Sequence, residues 1–225
     1  MERFFPKEKI ILTGNPVRQN LKDGTKEDAI QYFNQEFGVN FTNEKKTLLI
    51  IGGSLGAGTI NQSIIAHLQE LAKSDVQVIW QTGKNYFANC KKALSNYQLP
   101  IVNSSIICTA FISQMPLAYA LADLVISRAG ASSISELCLL GKPSILVPSP
   151  NVAEDHQTHN AMALVRKGAA ILVKDVDAKE KMVETALSLI QDDERLGILH
   201  ENILTLALPD SAKRIAEEVI ALAKK

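Results

Sequence analysis

The sequence lacks a long hydrophobic run. No apolar stretch approaches the ~20 residues that a bilayer-spanning helix needs. The first seven residues, Met-Glu-Arg-Phe-Phe-Pro-Lys, are too charged, and their apolar part is too short, for a secretory signal peptide. We therefore expect a protein that is soluble or only peripherally attached to a membrane.

The sequence also lacks an excess of charge of either sign, and it has few cysteines. Lys plus Arg and Asp plus Glu both number 24, which argues against nucleic-acid binding driven by bulk charge. The three cysteines are an odd number without CxxC spacing, and Cys108 and Cys138 stand in apolar surroundings typical of core thiols. A reducing, cytoplasmic compartment is the natural expectation.

Short apolar runs alternate with helical patterns along the whole chain, with a period of about 25 residues. This alternation is typical of right-handed βαβ units and predicts an α/β fold, a Rossmann-like doubly wound parallel sheet in one domain over 1–225. Ligands of such sheets bind at the carboxyl ends of the strands. The predicted strands cover 9–13, 47–51, 76–80, 104–109, 124–126, 144–147 and 170–173.

The stretch 123–136 predicts a buried strand, a turn of small residues around Gly130 and the start of a helix. Ser132, Ser133 and Ser135 are residue types that favour helix starts. Strand, turn and helix N-terminus together form an anion site, because free N–H groups and the positive end of the helix dipole meet there. We expect a phosphate at this turn and expect Glu136 to reach neutral hydroxyls beside it; an ordinary βα turn capped by serine is the alternative.

A second strand, turn and helix unit follows residue 47. Its glycines, at positions 52, 53, 56 and 58, match neither GxGxxG spacing nor a P-loop, which also needs a lysine. They still allow a tight turn near a phosphate, so Ser54 is a candidate diphosphate ligand.

Further segments are expected at the same rim, the edge of the sheet where the strands end at their carboxyl ends, because each follows a predicted strand. They are 14–18 with Arg18, 81–84, Ile112 and the loop 151–160. Arg18 taken by itself could equally be a solvated loop arginine. The loop contains His156 and His159, but two histidines without a matching third ligand do not indicate a metal site.

Five motifs carry a resemblance to a known family. They are Ile-Leu-Thr-Gly-Asn-Pro-Val-Arg (11–18), Ile-Gly-Gly-Ser-Leu-Gly-Ala (51–57), Trp-Gln-Thr-Gly-Lys (80–84), Arg-Ala-Gly-Ala-Ser-Ser-Ile-Ser-Glu (128–136) and Asp-His-Gln-Thr-His-Asn-Ala (155–161). In this order they resemble the MurG family of peptidoglycan glycosyltransferases, which add N-acetylglucosamine to lipid I and so form lipid II. The resemblance covers essentially all 225 residues.

The resemblance implies the C-terminal, sugar-nucleotide-binding domain of a GT-B glycosyltransferase. Nothing in the chain is similar to the N-terminal acceptor domain, so Met1 is expected to begin a fragment or a gene prediction inside a longer reading frame. The family's membrane patch lies largely in that other domain. The intact protein is expected peripherally at the cytoplasmic face of the bacterial membrane, and this chain alone as soluble and cytoplasmic. The last helix, over 209–225, either crosses to the other domain or packs on this one.

The resemblance also assigns roles toward UDP-N-acetylglucosamine. Ser54 and the turn 130–135 would hold the diphosphate, and Glu136 would accept hydrogen bonds from the ribose. The backbone at Ile112 would read uracil, Gln157 would bind sugar hydroxyls and Arg18 would lie in the nucleotide pocket. No cofactor or metal is implied. The implied binding residues are Arg18, Ser54, Ile112, Ala131, Ser132, Ser133, Ile134, Ser135, Glu136 and Gln157.

The family reaction inverts the anomeric centre, with helix dipole and N–H groups stabilising the leaving diphosphate. No catalytic base is implied in this chain, so alone it is expected to bind the donor weakly without turnover. Two other functions stay open. One is a UDP-sugar epimerase, for which Glu154 and Asp155 would be the acid and base. The other is a non-catalytic nucleotide-binding or interaction module.

Overall fold

A single parallel sheet organises the part of the chain that the computed structural model describes, residues 5–97 and 105–224. Its six strands pair in the order β3-β2-β1-β4-β5-β6, and every pair is parallel. The order reverses between β1 and β4, which is the switch point of a doubly wound sheet. The predicted fold class is thus confirmed. The strands are β1 (Lys46–Ile51), β2 (Val76–Gln81), β3 (Ile106–Thr109), β4 (Leu124–Ser127), β5 (Ser144–Leu146) and β6 (Ile171–Leu172).

Helices cover both faces of this sheet. They are α1 (Lys26–Phe37), α2 (Gly58–Ala66), α3 (Leu68–Lys73), α4 (Phe87–Asn96), α5 (Met115–Leu121), α6 (Ala131–Leu140), α7 (His156–Val165), α8 (Ala178–Leu189), α9 (Asp193–Leu204) and α10 (Ser211–Ala223). In β1, Leu48 and Ile50 join the hydrophobic cluster under α2 and α8, whereas Leu49 joins the cluster under α1 and α5. Burial on both faces explains why the strands are continuously apolar rather than alternating.

The strand predicted over 9–13 is wrong. Residues Lys7–Lys9 form a 3₁₀ turn, and the residues after it belong to none of the six strands. Ile11 and Leu12 are 60 % and 76 % exposed, so their β-branched and apolar character does not reflect burial in a sheet. Without a neighbouring strand to pair with, this segment instead lies along a groove whose opposite wall includes Ile134 and Leu164.

Helix α7 begins at His156, inside the segment 151–160 that the sequence predicts as a loop. The pattern is not apolar here because the first five residues of α7 include the polar side chains of Gln157 and Asn160, which form hydrogen bonds to the loop after β4. The loop 151–160 is therefore half helix, which fixes its polar groups more firmly than a loop would.

Helix α10 is largely exposed. Ser211 is its only buried residue, and Val219, Ile220 and Leu222 are between 52 % and 68 % exposed. Both alternatives for this helix, crossing to another domain and packing on this one, stay predictions. Within the described ranges, no helix combines the length and the apolar character that crossing a membrane requires.

Candidate functional site

The turn between β4 and α6 presents open backbone at a helix start. Gly130 is the N-cap of α6 and no side chain caps the helix, so the serine cap of the alternative interpretation does not form. A Cβ atom on Gly130 would meet only Ser133 Oγ, at 3.8 Å, which leaves space above the turn. The N–H groups of Ala131, Ser132 and Ser133 have no acceptor inside the helix. The backbone therefore supplies the donors that an anion needs at this point.

Two side chains from α7 form hydrogen bonds to the backbone at the start of this turn. Gln157 Oε1 accepts from the N–H groups of Ala129, at 3.2 Å, and Ser149, at 3.0 Å. Asn160 Nδ2 donates to the Ala129 carbonyl at 3.1 Å. Since the Gln157 oxygen is already engaged, a direct contact to a sugar hydroxyl would come from its Nε2 amide.

Glu136 lies one turn into α6 and is held between two residues. The Tyr119 hydroxyl donates to Glu136 Oε2 at 3.0 Å, and Arg18 Nη2 lies 4.0 Å from Glu136 Oε1. Tyr119 is 2 % exposed, whereas the Arg18 side chain is 59 % exposed. Burial, with the nearby Glu136 carboxylate, raises the pKa of Tyr119 well above its ordinary value, so its hydroxyl stays a donor.

The segment 14–18 reaches the site although no strand precedes it. Asn15 Nδ2 donates to Ser135 Oγ at 2.9 Å and to the Ala131 carbonyl at 3.4 Å. This contact across 120 residues brings Arg18 to Glu136. Sequence reasoning placed Arg18 correctly at the rim for the wrong reason, because a side-chain bond rather than a strand end positions it. No sequence pattern marks Asn15 itself as a site residue, although it lies within the motif at 11–18.

The loop between β1 and α2 carries Ser54, which is exposed. Helix α2 starts at Gly58, so Ser54 is not its cap. The loop packs tightly on the β2–α4 loop, because a Cβ on Gly56 would lie 2.2 Å from the Thr82 carbonyl oxygen. At Gly56 the missing side chain thus serves loop packing. Because β1 and β4 are neighbours in the sheet, the loops that follow them lie at the same edge, and Ser54 stays a predicted diphosphate ligand.

Ile112 follows β3 and is 4 % exposed. Its side chain belongs to the same hydrophobic cluster as Tyr119 and Leu137. With the side chain inside the core, only the backbone at this position is available to a ligand, which agrees with the predicted kind of contact to a base.

A buried ion pair, not foreseen from the sequence, supports the rim from below. Arg128 Nη1 pairs with Asp175 Oδ1 and also donates to the carbonyls of Val147 and Pro148, both at 3.1 Å. Thr59 Oγ1 donates to the other Asp175 oxygen at 2.9 Å. One guanidinium therefore joins the ends of β4 and β5 to α2 and to the loop before α8.

No group of three or more His, Cys, Asp or Glu residues within 5–97 and 105–224 is placed to hold a metal ion. His156 Nδ1 lies 2.8 Å from the Ala153 carbonyl oxygen. Glu154 and Asp155, the predicted acid and base of an epimerase, are both exposed and have φ of 53° and 49°. Asp155 Oδ1 accepts from Thr158 Oγ1 at 2.6 Å.

Comparison with solved structures shows the class. The chain superposes with a TM-score of 0.67 on MurG from Acinetobacter baumannii, at 24 % identity over 96 % of this chain and 58 % of that one. It also superposes with a TM-score of 0.63 on UDP-GlcNAc 2-epimerase from Neisseria meningitidis, at 18 % identity over 98 % of this chain and 57 % of that one. Together with the strand order, these likenesses define a Rossmann-like domain of the class that builds GT-B glycosyltransferases and related epimerases.

Sequence comparison shows the family. The model of the glycosyltransferase family 28 C-terminal domain matches residues 47–215, so the chain belongs to this family. A relative from Bacteroides fragilis, 57 % identical over 100 % of this chain, is named UDP-N-acetylglucosamine--N-acetylmuramyl-(pentapeptide) pyrophosphoryl-undecaprenol N-acetylglucosamine transferase. A second, from Parabacteroides distasonis, is 54 % identical and carries the same name. The chain spans 58 % and 59 % of the lengths of these two relatives.

Proposed function

We propose that this chain is the donor-binding domain of an N-acetylglucosaminyltransferase. It binds UDP-N-acetylglucosamine, and the intact enzyme passes the sugar to lipid I to form lipid II in peptidoglycan synthesis. The observation that carries this proposal is the 57 % identity along the whole chain to a transferase of that name. The family match favours a transferase over an epimerase, whose likeness to this chain is one of fold alone.

Different residues at the rim suit different parts of the donor. The N–H groups at the start of α6 suit the diphosphate, because a helix N-terminus attracts negative charge. Glu136, partly buried one turn further, suits the vicinal hydroxyls of a ribose, because the lone pairs of a carboxylate oxygen at the rim can accept hydrogen bonds from both. The Ile112 backbone would meet the base, and the Gln157 amide nitrogen would meet the sugar.

The chemistry on this domain is the stabilisation of a leaving group. An acceptor hydroxyl attacks the anomeric carbon from the face opposite the diphosphate, a carbon–oxygen bond forms, and the bond to the diphosphate oxygen breaks. The electron pair of that bond leaves on UDP, and the proton of the attacking hydroxyl passes to a base. Fixed N–H groups at the start of α6 stabilise the growing negative charge without reorganisation, which is where such a site lowers the barrier.

The acceptor side and the base are assigned to the part of the relatives that this chain does not match. We propose that the 225 residues form one sugar-nucleotide domain and that α10, with Val219, Ile220 and Leu222 exposed, crosses to that second domain. The intact enzyme would work peripherally at the cytoplasmic face of the membrane, because lipid I is membrane-bound.

Calorimetric titration of the chain with UDP-N-acetylglucosamine, UDP and UDP-glucose tests this function. We expect binding of UDP and UDP-N-acetylglucosamine, and an affinity for both that falls at least about tenfold in Glu136→Ala, as for a lost bond to a charged group. Glu180→Ala removes an exposed carboxylate from α8 and is the matched control, expected to bind as the unaltered chain does. Binding of none of the three nucleotides would indicate a non-catalytic module and contradict the proposal.

The same chain, supplied with a lipid I analogue and UDP-N-acetylglucosamine, is expected to give no transfer, since the acceptor side is assigned elsewhere. Product formation by the purified 225-residue chain would show that this assignment is wrong.

A further inference from the structure

Glu136 is held by a residue that no motif singles out. Tyr119 lies on α5, 2 % exposed, and its hydroxyl donates to Glu136 Oε2 at 3.0 Å. The Glu136 side chain is 18 % exposed, and its other oxygen, Oε1, lies 4.0 Å from Arg18 Nη2. The two carboxylate oxygens therefore face different surroundings, Oε2 the core and Oε1 the exposed guanidinium at the rim.

We propose that Tyr119 is a positioning residue for Glu136. Its hydroxyl fixes Oε2 on the core side, so that Oε1 is presented to the ribose diol of a bound uridine nucleotide. This inference rests on the proposed function, because it concerns how Glu136 recognises the ribose. Tyr119 itself touches no ligand and acts through the carboxylate.

The geometry favours positioning over a merely satisfied core tyrosine. A buried hydroxyl needs one acceptor, and a backbone carbonyl would serve as well as a carboxylate at the ligand-binding rim. A glutamate side chain loses roughly 1.5–2 kcal/mol of rotamer freedom when it is fixed, and a bond made before the ligand arrives removes that loss from the binding step. The raised pKa of Tyr119 keeps the proton on its oxygen throughout the neutral range.

The test compares UDP with 2′,3′-dideoxy-UDP, which lacks the two ribose hydroxyls, in calorimetric titrations of the 225-residue chain. We expect the unaltered chain to prefer UDP by about tenfold and Tyr119→Phe to narrow that preference to about threefold, with the dideoxy affinity changed less than about twofold. Tyr97→Phe, the same change at a half-exposed tyrosine after α4, should leave the preference unchanged.

A second variant keeps the proposal testable whether or not Tyr119→Phe folds. In Glu136→Gln, the Tyr119 hydroxyl should donate to the amide oxygen, as it does to Oε2. The amide nitrogen would then face the rim, and it cannot accept a hydrogen bond from the ribose diol. The preference for UDP should then fall to about twofold.

The results separate this inference from the function on which it rests. If the unaltered chain binds no UDP, the proposed function and this inference both fail. If it prefers UDP but Tyr119→Phe keeps the full preference, or weakens both nucleotides equally, Tyr119 is structural only. If Glu136→Gln keeps the full preference, the carboxylate is not oriented as proposed.

Discussion

The buried pair of Arg128 and Asp175 gives a sharp stability prediction. Arg128→Met keeps much of the aliphatic length and removes the charge and three hydrogen bonds, to Asp175 and to the carbonyls of Val147 and Pro148. The side chains are only 15 % and 16 % exposed. Asp175 would be left as a largely buried carboxylate with Thr59 as its hydrogen-bond partner from α2.

The expected loss of stability comes from the unpaired Asp175 charge that remains, rather than from the attraction between Arg128 and Asp175 that is lost. Removing one partner of a buried ion pair costs about 3–5 kcal/mol, because the remaining charge stays away from water. Domains of ordinary stability unfold with about 5–15 kcal/mol, so the variant should lose a large share. For a chain of this size, that loss corresponds to a fall of roughly 10 °C in Tm.

Thermal and urea unfolding followed by circular dichroism measure the loss. Lys46→Met is the matched control, because Lys46 pairs with Asp193 at 2.6 Å while the Asp193 side chain is 79 % exposed. Exposed pairs contribute about 0–1 kcal/mol, so this variant should unfold almost as the unaltered chain does. The double change Arg128→Met with Asp175→Asn should recover part of the lost stability, since no lone charge remains. Equal effects of the two single Met variants would refute the reasoning.

Three further predictions concern other parts of the domain. Gly83→Ala should lower the free energy of unfolding by about 2–4 kcal/mol in urea, because φ at Gly83 is +79° and a Cβ there would lie 2.2 Å from Gly56 N. A loss under about 0.5 kcal/mol would contradict this packing. Thr25→Ala should cost about 1 kcal/mol, since Thr25 Oγ1 accepts from Asp28 N at the start of α1, and Thr25→Ser should cost little. Burial lowers the pKa of Lys142 from 10.5 to about 8. Between these values the unfolded chain binds more protons than the folded one, so this group's contribution to stability rises with pH. From pH 8 to pH 10 the unaltered chain should therefore gain about 1–3 kcal/mol of stability that Lys142→Met does not gain. A stability difference between the two proteins that does not change with pH would contradict the lowered pKa.

Much of the fold could be predicted because burial on two faces leaves a strong pattern in the sequence. Runs such as Leu48 to Ile51 and Leu124 to Ile126 are apolar without alternation, which in a chain with helices between them predicts covered parallel strands. The same criterion failed at Ile10 to Leu12. An apolar triplet indicates burial somewhere, but only a neighbouring strand makes it part of a sheet, and pairing partners are not visible in a local run of residues.

Part of the candidate site could also be predicted from the sequence. A strand followed by small residues and a helix start predicts open N–H groups, and the turn at Gly130 has them. The serines beside it suggested side-chain caps, yet Gly130 itself is the cap and Ser135 bonds back to Ala131. Ser, Thr and Asn side chains have several backbone partners within reach, so residue type alone does not select one.

The sequence by itself determined the order of the six strands that form the sheet, the rim on which Gly130 and Glu136 stand, and the family to which the chain belongs, because these depend on short patterns read in order. Only the tertiary structure decided which distant groups meet: Asn15 with Ser135, Tyr119 with Glu136, and Arg128 with Asp175. Such contacts depend on how elements far apart in the chain pack together, and no local periodicity records them. The opening at Gly130 is thus foreseeable from sequence, whereas the hydroxyl that orients the carboxylate beside it is not.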